Sequence, residues 1–308
     1  MRLLYPSGII RLALVLGILA SACIAEAAAP VYQGSITSPT LCSPRGIAFA
    51  PGGGLFVGSD CHALSHMERF NAAGDFVGSW AFPAQYLGPP NGVAVDGAGN
   101  VYVIDMFNTR ILKFTSAGVL ITSWPSVVQS AVDLAVDSFG DLYVAEMDGK
   151  RVRKTTSSGM FLAAFGSSGT TPGKFQNVTG AAVDGSGRVY ATDNVRVRVV
   201  RFLANGTFDM EFAPPSRPSD VAVGPDGNLY VLSDDPNVHA AYQYSPGGVL
   251  LQSFSSPLGL EQAYRIIIDS AGMIFISEQN NNQITKFQID MSTPAVPMTF
   301  GRLKATYR

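Results

Sequence analysis

"PNGVAVDGAGNVYVIDMFNTRILKF", Pro90 to Phe114, reads as two strands about a Gly/Asp turn, with a third strand beyond a short loop. Apolar and polar residues alternate through "VAVD" and "VYVID", the period-two signal of a half-buried strand, and "DGAGN" supplies turn chemistry. Relatives of this stretch recur. Aligned on the aromatic of "VYV", they place Phe56, Tyr102, Tyr143, Tyr190, Tyr230 and Phe275 at spacings of 46, 41, 47, 40 and 45 residues, a period typical of propellers and solenoids. Each copy has a small-apolar strand ("GIAFA", "GVAVD", "DLAVD", "GAAVD", "DVAVG", "RIIID"), a turn and an alternating strand ("LFVGS", "VYVID", "LYVAE", "VYATD", "LYVLS", "IFISE"). A loop, a third strand and a fourth near "VGSW", "ITSW", "AAFG", "MEF" or "QSF" complete the unit. Four short antiparallel strands cannot bury both faces alone; radial packing of six such sheets does so and leaves only short edges. The repeat therefore predicts an all-β chain, a six-bladed β-propeller of four-stranded antiparallel blades. "VYQGSI" (31–36) and "AVPMTF" (295–300) compete to supply the outer strand of the last blade, with a slight preference for the first.

The pattern P-x-G-[VI]-A-[VF]-D … G-N-[VL]-Y-V-x-D … N-x-R-[IV]-x-[KR]-F resembles that of NHL repeats. Blade 2 matches nearly every position, blades 3 to 5 match most, and blades 1 and 6 are degenerate, over 43–301. The resemblance implies a fold rather than an activity, since NHL-like propellers include protein-binding and RNA-binding modules, receptor sensor domains and a few lyases and hydrolases.

Of 308 residues 47% are hydrophobic and 14% charged, with 32 Gly and 19 Pro, which suits a compact, turn-rich β protein and excludes general disorder. A net charge of −2 gives no overall attraction to nucleic acid or anionic membrane. Residues 1–29 read as an export signal: Arg2 and Arg11 precede "LALVLGILASACIA" (Leu12 to Ala25), and small-x-small cleavage sites at Ala25-Glu-Ala27 and Ala27-Ala-Ala29 follow. The mature chain would start near Ala28 with no membrane-spanning segment, in the periplasm or outside the cell. Acylation of Cys23 as a lipoprotein fits less well, because Ala20 stands where a large aliphatic is expected. The remaining divisions are an N-terminal strand (30–42), the propeller (43–301) and a C-terminal tail (302–308). Cys42 and Cys61, an even pair in an exported chain, flank the first hairpin and are expected to form a disulfide.

Asp105 with Arg110, Glu146 with Arg151 and Asp193 with Arg198 repeat an acid and an arginine five residues apart, which reads as an architectural ion pair. His62, His66 and His239 are all placed on one loop-bearing face. Three imidazoles there could hold Zn²⁺, although loop histidines in solvent are the preferred reading. The peptidyl-hydroxyglycine lyase propellers, which hold zinc through channel histidines, are similar in topology only. The inner-strand position held by Gly46, Gly92 and Gly180 becomes Asp133, Asp220 and Arg265 in blades 3, 5 and 6. Asp220 and Arg265, on adjacent blades, are expected to pair; together with Asp133 they could instead line a pocket for a small ligand or Ca²⁺, as in gluconolactonase-type propellers.

Residues 150–201 carry a local charge of +7 against −9 over the rest of the chain. Arg151, Arg153, Arg196 and Arg198 thus mark a basic sector suited to an acidic glycan or envelope ligand, nucleic acid being an improbable partner outside the cell. Met106, Phe107 and Met147 suit a protein-contact patch. No nucleophile elbow, P-loop or zinc-protease motif is present. The sequence therefore favours an exported, non-catalytic binding propeller that presents one loop face to a protein or anionic ligand, without a cofactor. The alternative is a metal-dependent lyase or hydrolase with its site at the channel mouth.

Overall fold

The computed structural model describes residues 28–61, 65–83, 88–125, 130–233 and 235–291. Among these, twenty-four strands form six four-stranded antiparallel sheets arranged as the blades of a propeller. The innermost strands are Pro44–Phe49, Pro90–Val95, Ala131–Val136, Val178–Val183, Pro218–Val223 and Ala263–Ile268 for blades 1 to 6. They contact one another in chain order, and the first packs against the last to close the ring. Blade 6 takes its outer strand from the other end of the chain: Val31–Ile36 pairs with Gln283–Gln288, Val31 opposite Gln288 and Ile36 opposite Ile284. The segment 295–300, the export signal except Ala28 and Ala29, and the 302–308 tail lie outside the described residues.

Each inner strand runs from a loop end, where blades are joined and second strands turn into third strands, to a turn end of tight hairpins. The repeat's aspartate and tyrosine meet at the turn end. Tyr102 donates to Asp96 Oδ2 at 2.8 Å, Tyr143 to Asp137 at 3.2 Å, Tyr190 to Asp184 at 3.1 Å and Tyr230 to Asp226 at 2.8 Å. Each aspartate also accepts backbone N–H groups of its own turn, as Asp96 does from Ala98 and Asn100, so the hydroxyl of a buried tyrosine is satisfied without water. Blade 1 has Ala50 in place of the turn aspartate and Phe56 in place of the tyrosine, losing both partners together.

Valine, leucine, phenylalanine and tyrosine of the second and third strands fill the space between blades. The inner strands are small because they converge. A Cβ on Gly46 would lie 2.8 Å from the backbone nitrogen of Val93, and one on Gly180 would lie 2.8 Å from the Cα of Asp220. Glycine is therefore set by close approach of neighbouring backbones, not by turn conformation.

At the loop end, Cys42 and Cys61 form a disulfide with Cα atoms 5.4 Å apart. Asp105 and Arg110 meet at 2.9 Å, Glu146 and Arg151 at 2.5 Å, and Asp193 and Arg198 at 3.6 Å. The acids are almost fully buried, and each arginine fixes the loop between second and third strands.

Candidate functional site

The site is built from the inner strands, all six of which break register near their loop end. The break re-aims the side chains that follow toward the axis. Just beyond it stand Gly46, Gly92, Asp133, Gly180, Asp220 and Arg265 in ring order. The three charged residues are all buried, between 3% and 6% exposed. They line a cavity of about 290 Å³ on the propeller axis, whose remaining lining comes from the turn-end halves of the six inner strands. Those walls are apolar, with Phe49, Val95, Val136, Val183, Val223 and Ile268 half-buried at the turn end. The cavity is thus an apolar well with charge at its base, opening toward the turns.

The pairing inside it corrects the sequence-based expectation. Arg265 reaches the opposite blade rather than the adjacent one: its Nε lies 2.8 Å from Asp133 Oδ1. Its other nitrogens donate to the carbonyls of Tyr264 and Val132, and its guanidinium lies 4.4 Å from the Tyr264 ring centroid. The aspartates tie each blade to the next, Asp133 Oδ2 accepting from the Ala181 amide and Asp220 Oδ2 from the Ile266 amide, both at 2.9 Å. Asp220 Oδ1 meets no hydrogen-bond donor among the described residues; it lies against Gly180, where a Cβ would come within 2.4 Å of it. Burial raises the Asp220 pKa well above the usual carboxylate range, and the negative charge of Asp133 adds to this against the opposing pull of Arg265 and the Ile266 and Val221 amides. Arg265 stays charged: burial works against its charge, and Asp133, Tyr264 and Asp220 more than offset that.

A second polar layer, which sequence reasoning missed, lies just on the loop side. Arg45 pairs with Asp60 at 2.9 Å, donates to Asn91 at 3.0 Å and lies 5.2 Å from the Tyr264 ring centroid. Arg45, Asn91 and Tyr264 occupy equivalent positions, immediately before Gly46, Gly92 and Arg265. Their departure from small residues was the available signal.

The other candidates do not come together. His66 lies in the third strand of blade 1, not in a loop, and its Nε2 is 3.0 Å from Glu68 Oε1. His239, in blade 5, is 3.6 Å from Glu261; His62 lies outside the described residues. Among those residues no three His, Cys, Asp or Glu side chains group closely enough to hold a metal. The Asp133 and Asp220 pair does not fit a divalent cation either, because the Arg265 guanidinium already provides the positive charge between them. The basic sector is largely neutralised: Arg151 and Arg153 share Glu146 at 2.5 and 2.6 Å, and Arg198 binds Glu211 at 2.6 Å. Arg196 alone of the four is exposed. Met106 and Met147 pack half-buried against the cores, which leaves only Phe107 of that patch strongly exposed.

No protein-family model and no curated protein matches the chain. Solved structures do. A virginiamycin B lyase from Staphylococcus aureus superposes with a TM-score of 0.62 at 13% identity, over 85% of this chain and 100% of that one. A streptogramin B lyase gives 0.61 at 12%, over 85% and 98%, and a putative gluconolactonase gives 0.63 at 12%, over 85% and 93%. These likenesses establish the fold. The expectation of a non-catalytic binding propeller is corrected on two grounds: the named neighbours are two lyases and a putative gluconolactonase, and three of the four arginines it relied on are tied up in ion pairs.

Proposed function

We propose that the protein is a lyase or hydrolase whose reaction takes place in the axial cavity, with Asp220 handling the proton and Arg265 providing fixed positive charge. The observation that carries the reading is the Asp220 carboxyl: buried at the base of a cavity, shifted toward its protonated form, and with one oxygen lacking a partner. Such a group in a cleft is a candidate acid or base. Opening a cyclic ester by either route moves one proton. Hydrolysis transfers it from the attacking water to the leaving oxygen, and elimination transfers it from a carbon atom to that oxygen. Asp220 would relay it, while the Arg265 guanidinium stabilises negative charge developing on oxygen in a site shielded from water. Asp133 would hold Arg265 in place. The names of the neighbours direct the substrate choice toward gluconolactone and streptogramin B compounds.

The test is an assay of the purified chain on both substrates with products read by mass spectrometry. Hydrolysis adds the mass of water and elimination leaves the mass unchanged, so the assay separates the two reaction types. Asp220→Asn should lower kcat by about 10²–10⁴-fold. Full activity in that variant, or none in the wild type on either substrate class, would overturn the assignment.

A further inference from the structure

We propose that the Cys42–Cys61 disulfide is exchangeable, and that Cys61, His66 and Glu68 of blade 1 form a site for thiol–disulfide exchange with a dithiol. The observation behind it is a break in the repeat. Across the loop between second and third strands, blades 2, 3 and 4 set Asp105 opposite Arg110, Glu146 opposite Arg151 and Asp193 opposite Arg198. Blade 1 sets Ser59 opposite His66 there, so both members of the architectural pair are replaced. An acid returns two residues later as Glu68, opposite Val57 and fully buried. Leu112, Arg153 and Val200 hold that position in blades 2 to 4. Blade 1 thus gives up a structural ion pair and places a histidine and its own buried carboxylate beside the disulfide.

The geometry is that of a relay aimed at sulfur. His66 Nε2 lies 3.0 Å from Glu68 Oε1, and His66 Nδ1 lies 4.0 Å from Cys61 Sγ. Burial works to raise the Glu68 pKa, but hydrogen bonds from His66, Ser38 and Thr40 hold it below its ordinary value. An ionised carboxylate only accepts, so the neutral imidazole carries its proton on Nε2 and presents the Nδ1 lone pair to the sulfur. A thiol beside such a base shifts toward thiolate. The neighbouring Asp60 carboxylate is already engaged, by Arg45 at 2.9 Å and by Ser65 at 3.1 Å. Both cysteines are only half-buried, so a thiol reaches them from solvent. More than the S–S bond holds this corner together. The Cys42 amide donates to Ser59 Oγ at 2.9 Å, and the Cys42 carbonyl accepts from that hydroxyl and from the Asp60 amide, both at 3.0 Å. These bonds keep Cys42 against the end of the second strand once the disulfide opens.

The exchange balances with the dithiol as sole co-reactant. A partner sulfur attacks Cys42 Sγ, and the proton it loses ends on His66. The S–S bond breaks with its electron pair on Cys61 Sγ, which remains a thiolate beside the imidazolium. The partner's second thiol then displaces Cys42, whose sulfur takes that thiol's proton. The partner has lost two electrons and two protons and closed to a disulfide, and the protein holds both. A stabilised leaving thiolate speeds the first step, which is what His66 provides at Cys61.

The experiment opens the disulfide of the exported chain with dithiothreitol under native conditions and titrates the two thiols. Iodoacetamide alkylation across a pH series, mapped by mass, reads Cys42 and Cys61 separately. Cys61 should react with a midpoint at least about one unit below the ordinary thiol value of about 8.5, and Cys42 should not. In His66→Gln the Cys61 midpoint should return to that value, and opening by dithiothreitol should slow by about tenfold. Glu68→Gln keeps the imidazole but removes its anion, and should move the midpoint part of the way. Circular dichroism of each oxidised variant reports folding. Should a variant not fold, the comparison of Cys61 with Cys42 in the wild-type chain still decides. A disulfide that opens only on unfolding in denaturant is a structural staple, and the proposal fails. It fails equally on an ordinary Cys61 midpoint in the wild type, on Cys42 as the more acidic thiol, or on a folded His66→Gln with an unchanged midpoint. None of these readouts involves the axial cavity.

Discussion

Arg265 of blade 6 crosses the propeller axis to Asp133 of blade 3, its Nε 2.8 Å from the carboxylate, and so joins opposite sides of the ring. Both side chains are buried. Removing one charge strands the other, at a cost of about 3–5 kcal/mol. Arg265→Met and Asp133→Leu should each lower the unfolding free energy by that order, read by denaturant unfolding. The double variant should recover much of the loss, because an apolar pair replaces a buried ion pair. A loss in the double variant equal to the sum of the two single losses would show that the residues act independently.

Asp220 sets a pH dependence whose sign follows from its raised pKa. In the unfolded chain it titrates near its ordinary value, about 3.9; in the folded chain it holds its proton to higher pH. The folded state therefore binds more protons between those two values, and stability falls as pH rises through that window. Asp220→Asn removes the titration and can still accept from the Ile266 amide. Its unfolding midpoint should vary less above about pH 4, with the gain over wild type largest at the upper end. Parallel pH profiles for the two proteins would refute the shift.

Gly180 gives way to Asp220. A methyl group there meets the Asp220 Cα at 2.8 Å and its Oδ1 at 2.4 Å, one of them backbone. Gly180→Ala should cost about 1–3 kcal/mol, read by denaturant unfolding. The same substitution at Gly185, where a Cβ would meet nothing within 4 Å, should be tolerated.

The architecture was legible because the repeat is local. Each copy carries its own turn and alternating strand, and blades 2 to 5 also carry the aspartate–tyrosine contact, so pattern and spacing specify a blade without knowledge of its neighbours. The base of the cavity was only half legible. Charged residues at a position otherwise glycine announced that Asp133, Asp220 and Arg265 were unusual. Their pairing was misread because adjacency in the ring was taken as the guide, whereas a long guanidinium spans a narrow channel. The Arg45, Asn91 and Tyr264 layer escaped notice although its residue types depart from the small residues expected there, because the register break that turns these positions toward the axis is not marked in the sequence. The basic sector misled for the converse reason. Charge counted along the sequence ignores that Glu146 and Glu211 project toward the arginines from neighbouring strand positions.

The tyrosine of the repeat offers the last test. Tyr230 is fully buried; its hydroxyl donates to Asp226 Oδ2 at 2.8 Å and accepts from Gln243 Nε2 at 2.8 Å. Tyr230→Phe removes a donor that Asp226 uses and an acceptor that buried Gln243 uses, so the cost is the desolvation of both, about 1–3 kcal/mol. In blade 1 the sign of the logic reverses. Phe56 faces a turn with no carboxylate, and Phe56→Tyr would bury a hydroxyl without that acceptor, costing a similar amount. Adding the acceptor as well, in Ala50→Asp with Phe56→Tyr, should recover part of that loss, because the turn following Ala50 already places the Gly53 and Gly54 backbones as its counterparts do elsewhere. Thermal unfolding of the two single variants and the double decides it. A double variant no more stable than Phe56→Tyr alone would mean that the pairing of aspartate with tyrosine across blades 2 to 5 reflects the repeat's history and not a coupled requirement for burying the ring.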